Sequence, residues 1–289
     1  MTGDKDPYVI VLGIAQDGGV PQAGCRKHLA CRDRTFRRHV VCIGIVDPAT
    51  SERWLIECTP DFREQLQKLD ESVPVERVPG LNGIFLTHSH MGHYTGLIHL
   101  GFESMNVLGV PVYVMPRMQE FLKTNGPWNQ LVENHHIALN PLREGEPVRI
   151  NFHLTIEPLL VPHRNEYSEV VGYRIDGPNR SVLFIPDIDR WEDWGEGIEN
   201  TISQVDSSYL DGTFYSPGEI SDRDMSTFPH PCIEESMKRF EKLSPQDRNK
   251  IRFIHLNHSN PALQSNSVAR MTIEKNGYRV ACEMEKVDL

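Results

Sequence analysis

The segment Gly83-Ile84-Phe85-Leu86 runs straight into Thr87-His88-Ser89-His90-Met91-Gly92-His93. An apolar run with no polar alternation reads as a strand covered on both faces. Such a strand belongs inside a layered architecture, with the chain leaving it through a loop at the strand's end. Three imidazoles within six residues, placed at that strand-to-helix exit, can converge on one pocket. Neutral imidazole is a common nitrogen ligand for zinc and also suits other transition ions. His88, His90 and His93 are therefore the first candidate metal ligands, with zinc (one or two ions) as the expected cofactor and iron or manganese as alternatives.

Short apolar runs rich in β-branched residues recur between turn signals along the rest of the chain. They predict strands over 8–12, 40–46, 54–58, 83–86, 110–115, 152–160, 171–175, 181–185, 207–210 and 251–256. Helical spacing predicts helices over 61–69, 117–123 and about 232–243. Two β-rich halves interspersed with helices point to sheets packed face to face with helices outside, an α/β (α+β) four-layered αββα sandwich. No low-complexity tract, linker or internal repeat marks a boundary, so a single domain over 1–289 is expected.

The composition, 39% hydrophobic and 24% charged over 289 residues, is that of an ordinary globular chain. A formal net charge of -10 disfavours a broad nucleic-acid surface, where affinity comes from Lys and Arg on phosphates. The basic run of Arg26, Lys27, Arg32, Arg34, Arg37 and Arg38 reads as a solvated loop. Residues 1–7 lack the pattern of a secretory signal, and no apolar stretch reaches the ~20 residues a membrane span needs. Six cysteines in a chain this long do not make a disulfide scaffold, so a reducing, cytoplasmic setting is expected. The expected partner is a small-molecule substrate, with no membrane and no nucleic acid; a homodimer is compatible with everything above.

The histidine segment resembles the signature of the metallo-β-lactamase superfamily, His-x-His-x-Asp-His after a buried strand. His88, His90 and His93 match it, and Gly92 departs from it where the family carries an aspartate ligand of a second metal. The resemblance implies further ligands at later strand ends. His163, in Val161-Pro162-His163, is the implied third ligand of the first site. Asp187, closing Ser181-Val182-Leu183-Phe184-Ile185-Pro186-Asp187, is the bridging candidate, with Asp189 as the weaker alternative. In Phe253-Ile254-His255-Leu256-Asn257-His258, His258 is favoured over His255 as the last ligand, because alternation reaches His255 only if the strand runs through it.

Several motifs narrow the likeness to the family of pyrroloquinoline quinone biosynthesis B proteins: Leu12 to Gln22, the Cys25 to Cys31 loop, Asp211-Gly212-Thr213-Phe214, His230-Pro231 and His255 to Pro261. By analogy with tRNA-processing and phosphodiesterase relatives, Asp211 and His230 form a carboxylate–imidazole pair for proton handling; a turn-capping Asp211 and a loop His230 are an equal reading. Cys25, His28, Cys31 and Cys232 carry donors suited to a structural zinc, as in related phosphodiesterases, although Cys25-x5-Cys31 is loose and free thiols are slightly favoured. Glu57 stands where the superfamily has an aspartate outside the ligand shell, able to hold a ligand histidine by a hydrogen bond. Gly18-Gly19 reads first as a tight turn near the site and second as an anion cradle. Trp128, Trp191 and Trp194 read as core before pocket.

These residues imply a metallohydrolase acting on a phosphodiester, lactone or related ester, with Asp187, Asp211 and His230 as catalytic candidates. An iron- and oxygen-dependent hydroxylase is the alternative, favoured by the open position that Gly92 leaves. A non-catalytic metal-binding protein is the third reading.

Overall fold

The computed structural model describes residues 6–26, 28–195, 197–220, 225 and 228–289. Lys27 of the basic run and residues 1–5 of the polar N-terminus lie outside them. The first half supplies β1 (Tyr8–Gly13), β2 (Cys42–Asp47), β3 (Glu52–Ile56), α1 (Phe62–Ser72), β4 (Gly83–Phe85), α2 (Met91–Tyr94), β5 (Val110–Val114), α3 (Pro116–Thr124), α4 (Trp128–Glu133) and β6 (Ile137–Pro141). The second supplies β7 (Val148–Arg149), β8 (Thr155–Leu160), β9 (Val171–Asp176), β10 (Ser181–Ile185), α5 (Ile198–Ser203), β11 (Ser207–Asp211), α6 (Ile233–Arg239), α7 (Pro245–Lys250), β12 (Ile251–Ile254), α8 (Val268–Lys275), β13 (Arg279–Val280) and β14 (Lys286–Asp288).

The strands form two seven-stranded sheets, ordered β14-β1-β2-β3-β4-β5-β6 and β13-β12-β11-β10-β9-β8-β7. Each sheet is mixed: β3 to β6 run parallel in the first, and β10 to β13 in the second. The C-terminal β14 crosses back to pair antiparallel with β1, setting Tyr8 opposite Asp288.

Continuous apolar strands follow from this layering. Along β1, Tyr8, Ile10 and Leu12 face a core shared with α1, α3 and α4. Val9 and Val11 face the second sheet, in a core that also holds Phe85, Tyr173, Phe184 and Ile254. A third core lies between the second sheet and α5, α6 and α8. Helix, sheet, sheet, helix is thus the observed order, and alternate residues of one strand bury into different layers. No helix among the described residues is long and apolar enough to cross a membrane.

Several boundaries differ from the sequence expectation. The strand expected over 152–160 begins at Thr155, because Asn151 Oδ1 accepts from the amides of His153 and Leu154 and turns the chain there. The helix expected over 232–243 ends as α-helix at Arg239 and continues as a 3-10 turn, Phe240–Lys242. β6, β7, β13, β14 and α4, α5, α7 and α8 were not anticipated, since two- to eight-residue elements of polar composition carry little periodic signal.

Phe85 ends β4 and fixes where the histidine segment leaves the sheet. Its ring stacks on Tyr113 at 4.3 Å and meets Tyr173 edge-on at 5.7 Å, with no solvent exposure. Phe85→Ala is expected to cost about 3–5 kcal/mol of unfolding free energy, by loss of buried area and a residual cavity. Urea unfolding followed by circular dichroism measures it; a loss under ~1 kcal/mol would show that the ring does not anchor this layer.

Candidate metal centre

The carboxyl ends of the parallel strands in both sheets open on the same edge, the usual location for ligands in such sheets. The ends of β3, β4, β10, β11 and β12 each deliver one or more polar side chains. Past β4, Thr87 Oγ1 lies 2.8 Å from His88 Nδ1, which leaves Nε2 of the buried His88 facing inward. His90 caps α2, and His93 stands in the last turn of that helix, fully buried. Past β3, Glu57 sits in the left-handed backbone region at φ 81°, aiming its carboxylate inward. Its Oε1 is 3.1 Å from His93 Nδ1 and also accepts from the Thr87 hydroxyl. The anchored Nδ1 leaves Nε2 of His93 toward the centre, the arrangement that fixes a ligand histidine's tautomer.

Past β8, His163 has its Nδ1 2.6 Å from Asp189 Oδ1, and its Nε2 3.3 Å from His90 Nδ1. Past β10, Asp187 occupies the middle. Its Oδ2 lies 3.0 Å from His93 Nε2, 3.4 Å from His255 Nε2 and 3.8 Å from His88 Nε2; Oδ1 is 3.9 Å from His163 Nε2. Donor atoms within 4.8 Å of one another group as His88, His90 and His163; as His88, His93 and Asp187; as Asp17, His93 and His255; and as His163, Asp187 and His230.

Two observations test whether these residues fit a metal ion. His88 Nε2 is buried and makes no hydrogen bond, and the buried Asp187 Oδ2 has only imidazole nitrogens around it, a costly state for these polar atoms that a cation between them would satisfy. The second is electrostatic. Burial lowers the pKa of His88, and burial together with His163 takes His90 to about 4, so both present free lone pairs. At His93 burial works the other way from its neighbours: Glu57, Asp187 and Asp17 outweigh it and raise the pKa well above the usual histidine value. Three carboxylates around one imidazole mark the spot where a positive charge is most favoured. The donor set fits a divalent cation.

Beside this cluster stands the pair read from sequence as a proton handler. Asp211, fully buried at the end of β11, accepts from Thr213 Oγ1 at 2.7 Å and from the Ile188 amide at 3.1 Å. His230 Nδ1 lies 2.8 Å from Asp211 Oδ2. Burial opposes the charged imidazole, but the charge and hydrogen bond of Asp211, with Asp187 and Asp17, push its pKa up to about 9. His230 borders a cavity of about 960 Å³ that also meets Arg26, Arg164, Phe214 and Phe228.

The structure corrects several expectations. His255, not His258, enters the cluster. β12 stops at Ile254, and His255 adopts φ 64°, so the chain turns its ring inward instead of continuing the alternation. His258 points away: its Nδ1 is 3.1 Å from Asn257 Oδ1, and it lines the cavity wall beside Cys25. Asp189 does not bridge the two sites; it holds His163 from behind. Among the described residues Cys25, His28, Cys31 and Cys232 form no donor cluster. His28 Nδ1 instead accepts from the Ala30 amide, Cys31 Sγ donates to the Cys25 carbonyl, and Cys232 caps α6. Gly18-Gly19 belongs to a tight turn, closed by the Gly19 amide on the Gln16 carbonyl at 2.8 Å. Trp128 packs in the first helix-facing core, and Trp191 and Trp194 pack in the second. Sequence reasoning missed Asp17, which sits in that turn with Oδ1 3.0 Å from His93 Nε2 and 3.4 Å from His255 Nε2. Its signals were a carboxylate next to Gly-Gly, which reads as turn chemistry, and its place within the Leu12 to Gln22 motif, which assigned it no role.

Glu57→Gln removes the charge behind His93 while keeping its shape. It is expected to weaken affinity for an ion held by His93 by about 10–100-fold, as measured by competition with a chromogenic chelator. Unchanged affinity would mean that Glu57 serves packing alone.

A family model described as the beta-lactamase superfamily domain matches residues 52–280. Coenzyme PQQ synthesis protein B of Methylorubrum extorquens strain PA1 is 25% identical over 306 residues, covering 98% of this chain and all of the relative. Among solved structures, the Zn(2+)-bound PqqB of Methylobacterium extorquens superposes with a TM-score of 0.81 at 22% identity, over 98% of this chain and 100% of its own. A diphosphatase from the PhnP family gives 0.67 at 20%, over 98% and 97%. The model's long match and the two facing sheets with their outer helices place the chain in the metallo-β-lactamase superfamily, with a likeness to PQQ synthesis protein B over nearly its whole length.

Proposed function

We propose that this protein is a metal-dependent hydrolase that cleaves a small phosphodiester or a related ester. The observation that carries this reading is the position of Asp187. Its carboxylate stands between the group of His88, His90 and His163 and the group of Asp17, His93 and His255, where it can serve ions on either side. Zinc is the proposed ion, in line with the zinc-bound PqqB that shares the fold; iron or manganese suits the same donors. A divalent ion held by these residues would lower the pKa of a bound water and polarise the oxygen of the scissile group.

The chain's own residues supply the rest. Glu57 and Asp189 fix the tautomers of His93 and His163, and so the direction of their lone pairs. His230 carries a proton at neutral pH, and with Nδ1 committed to Asp211 its Nε2 is the nitrogen left to protonate a leaving oxygen. Arg26 and Arg164 at the cavity favour an anionic substrate, since guanidinium pairs with phosphate oxygens; this favours a phosphodiester over a neutral lactone. An iron- and oxygen-dependent hydroxylase draws its support from an open position beside Gly92, and the carboxylate of Asp17 stands in that space. A purely binding role would use Asp211 only as the acceptor that ties Ile188 and Thr213 together, and gives its contact with His230 no chemical use.

Chelator-stripped protein, reconstituted with zinc, iron or manganese, is to be assayed on bis(p-nitrophenyl) phosphate, an alkyl p-nitrophenyl phosphate and a chromogenic lactone. Turnover is expected only with metal, and on the phosphodiesters. No metal-dependent turnover on any of the three would remove the hydrolase reading. His230→Ala is expected to lower kcat by about 10²–10⁴-fold for an alkoxide leaving group and by much less for p-nitrophenolate, which needs no proton. Equal losses for both would remove His230 as the proton donor.

A further inference from the structure

The turn that carries Asp17 is fixed on both flanks. Ala15 pairs in parallel with Val40 on one side and with Leu256 on the other, next to His255. The Gln16 amide donates to the Leu256 carbonyl at 2.9 Å, and the Leu256 amide to the Ile14 carbonyl at 2.8 Å. Asp17 and His255 are therefore positioned by one short ladder joining the exit of β1 to the exit of β12. Gly92 lies against this turn from the opposite side. A Cβ built on Gly92 would come within 2.6–2.7 Å of Cα, Cβ and Cγ of Asp17, closer than real Cβ atoms approach. The backbone of Asp17 is part of that contact, so no side-chain rotation relieves it.

We infer that Asp17 supplies, from the loop after β1, the carboxylate ligand of a second metal ion that the histidine motif lacks at Gly92, and that the two positions compete for one volume. The inference rests on the metal-centre reading above. Residue 92 is a glycine because Asp17 already fills the space into which a motif carboxylate would project. Asp17 Oδ1 meets Nε2 of both His93 and His255, and Asp187 Oδ2 meets the same two nitrogens, so two imidazoles and two carboxylates surround one point. Asp17 comes from the loop after β1 and Gly92 from the segment after β4, so the carboxylate would reach the same space from a different part of the chain while the site keeps its donor chemistry. The centre is thereby two-metal despite the glycine.

The test is metal stoichiometry and affinity, read without turnover. Full-length chelator-stripped protein is titrated with zinc by calorimetry, and bound metal is counted by plasma mass spectrometry after gel filtration. The wild type is expected to hold two ions at the cluster. The near-isosteric Asp17→Asn, checked for folding by circular dichroism, is expected to keep the first and bind the second about 100-fold more weakly or worse, a direct ligand costing at least as much as an outer-shell partner. Two ions bound by Asp17→Asn with undiminished affinity, or one ion in the wild type, overturns the inference. Gly92→Ala, whose Cβ would press on the Asp17 backbone and side chain, is expected to displace that turn and weaken the second ion alone; a folded Gly92→Ala that binds both ions with undiminished affinity overturns the shared-volume claim. Stoichiometry and hydrolysis fail separately. Two ions lost to one by Asp17→Asn without any turnover refutes the hydrolase reading alone, and metal-dependent turnover with Asp17 dispensable for binding refutes this inference alone.

Discussion

His93 is gripped by carboxylates on both sides of its ring, Glu57 at Nδ1 and Asp17 with Asp187 at Nε2, all within 3.1 Å. Buried charges persist only where they are paired or neutralised by a cation, because removing each ion from water costs several kcal/mol. Here three carboxylates meet one imidazole, while burial pushes the neighbouring His88 and His90 toward their neutral forms. The interior of the site is thus arranged for a cation. For His88, His93 and His163 the outer Nδ1 is held by Thr87, Glu57 and Asp189, which turns Nε2 toward the centre.

The sheets exist, in functional terms, to bring these groups to one edge. Parallel runs β3–β4 in the first sheet and β10–β11–β12 in the second end on the same side, and each strand contributes a residue at its last position or at most three residues beyond it. Two of those residues, Glu57 and His255, occupy the left-handed backbone region, which costs a non-glycine residue of order 1–3 kcal/mol. Both use it to swing a side chain inward immediately after a buried strand. The three apolar cores supply the surplus that tolerates such local strain, since β1, β2 and β10 are buried along their whole length.

Much of this was legible in the chain. Apolar runs such as 83–86 and 181–185 announced strands buried on both faces, and the layered sandwich follows from having many of them. The spacing of His88, His90 and His93 announced a metal centre, and family motifs nominated His163 and Asp187, which the structure places together with them. Small edge strands were not legible, because β13 and β14 have two and three residues and are defined by their partners. His255 was passed over for the same kind of reason: alternation describes a regular strand, and the side chain depends on one dihedral angle at the strand's end.

By itself the sequence determined the layers, through strands without a polar face, and the chemistry, through imidazoles and carboxylates at their ends. It also determined that a carboxylate is missing from position 92. Only the tertiary structure decided that Asp17 fills that space, because residues 17 and 92 come together through the pairing of Ala15 with Leu256 and the packing of α2 against the turn, neither of which has any period in the sequence. Local patterns encode what a residue's neighbours in the chain require. Which distant backbone occupies a glycine's empty volume is fixed by packing alone.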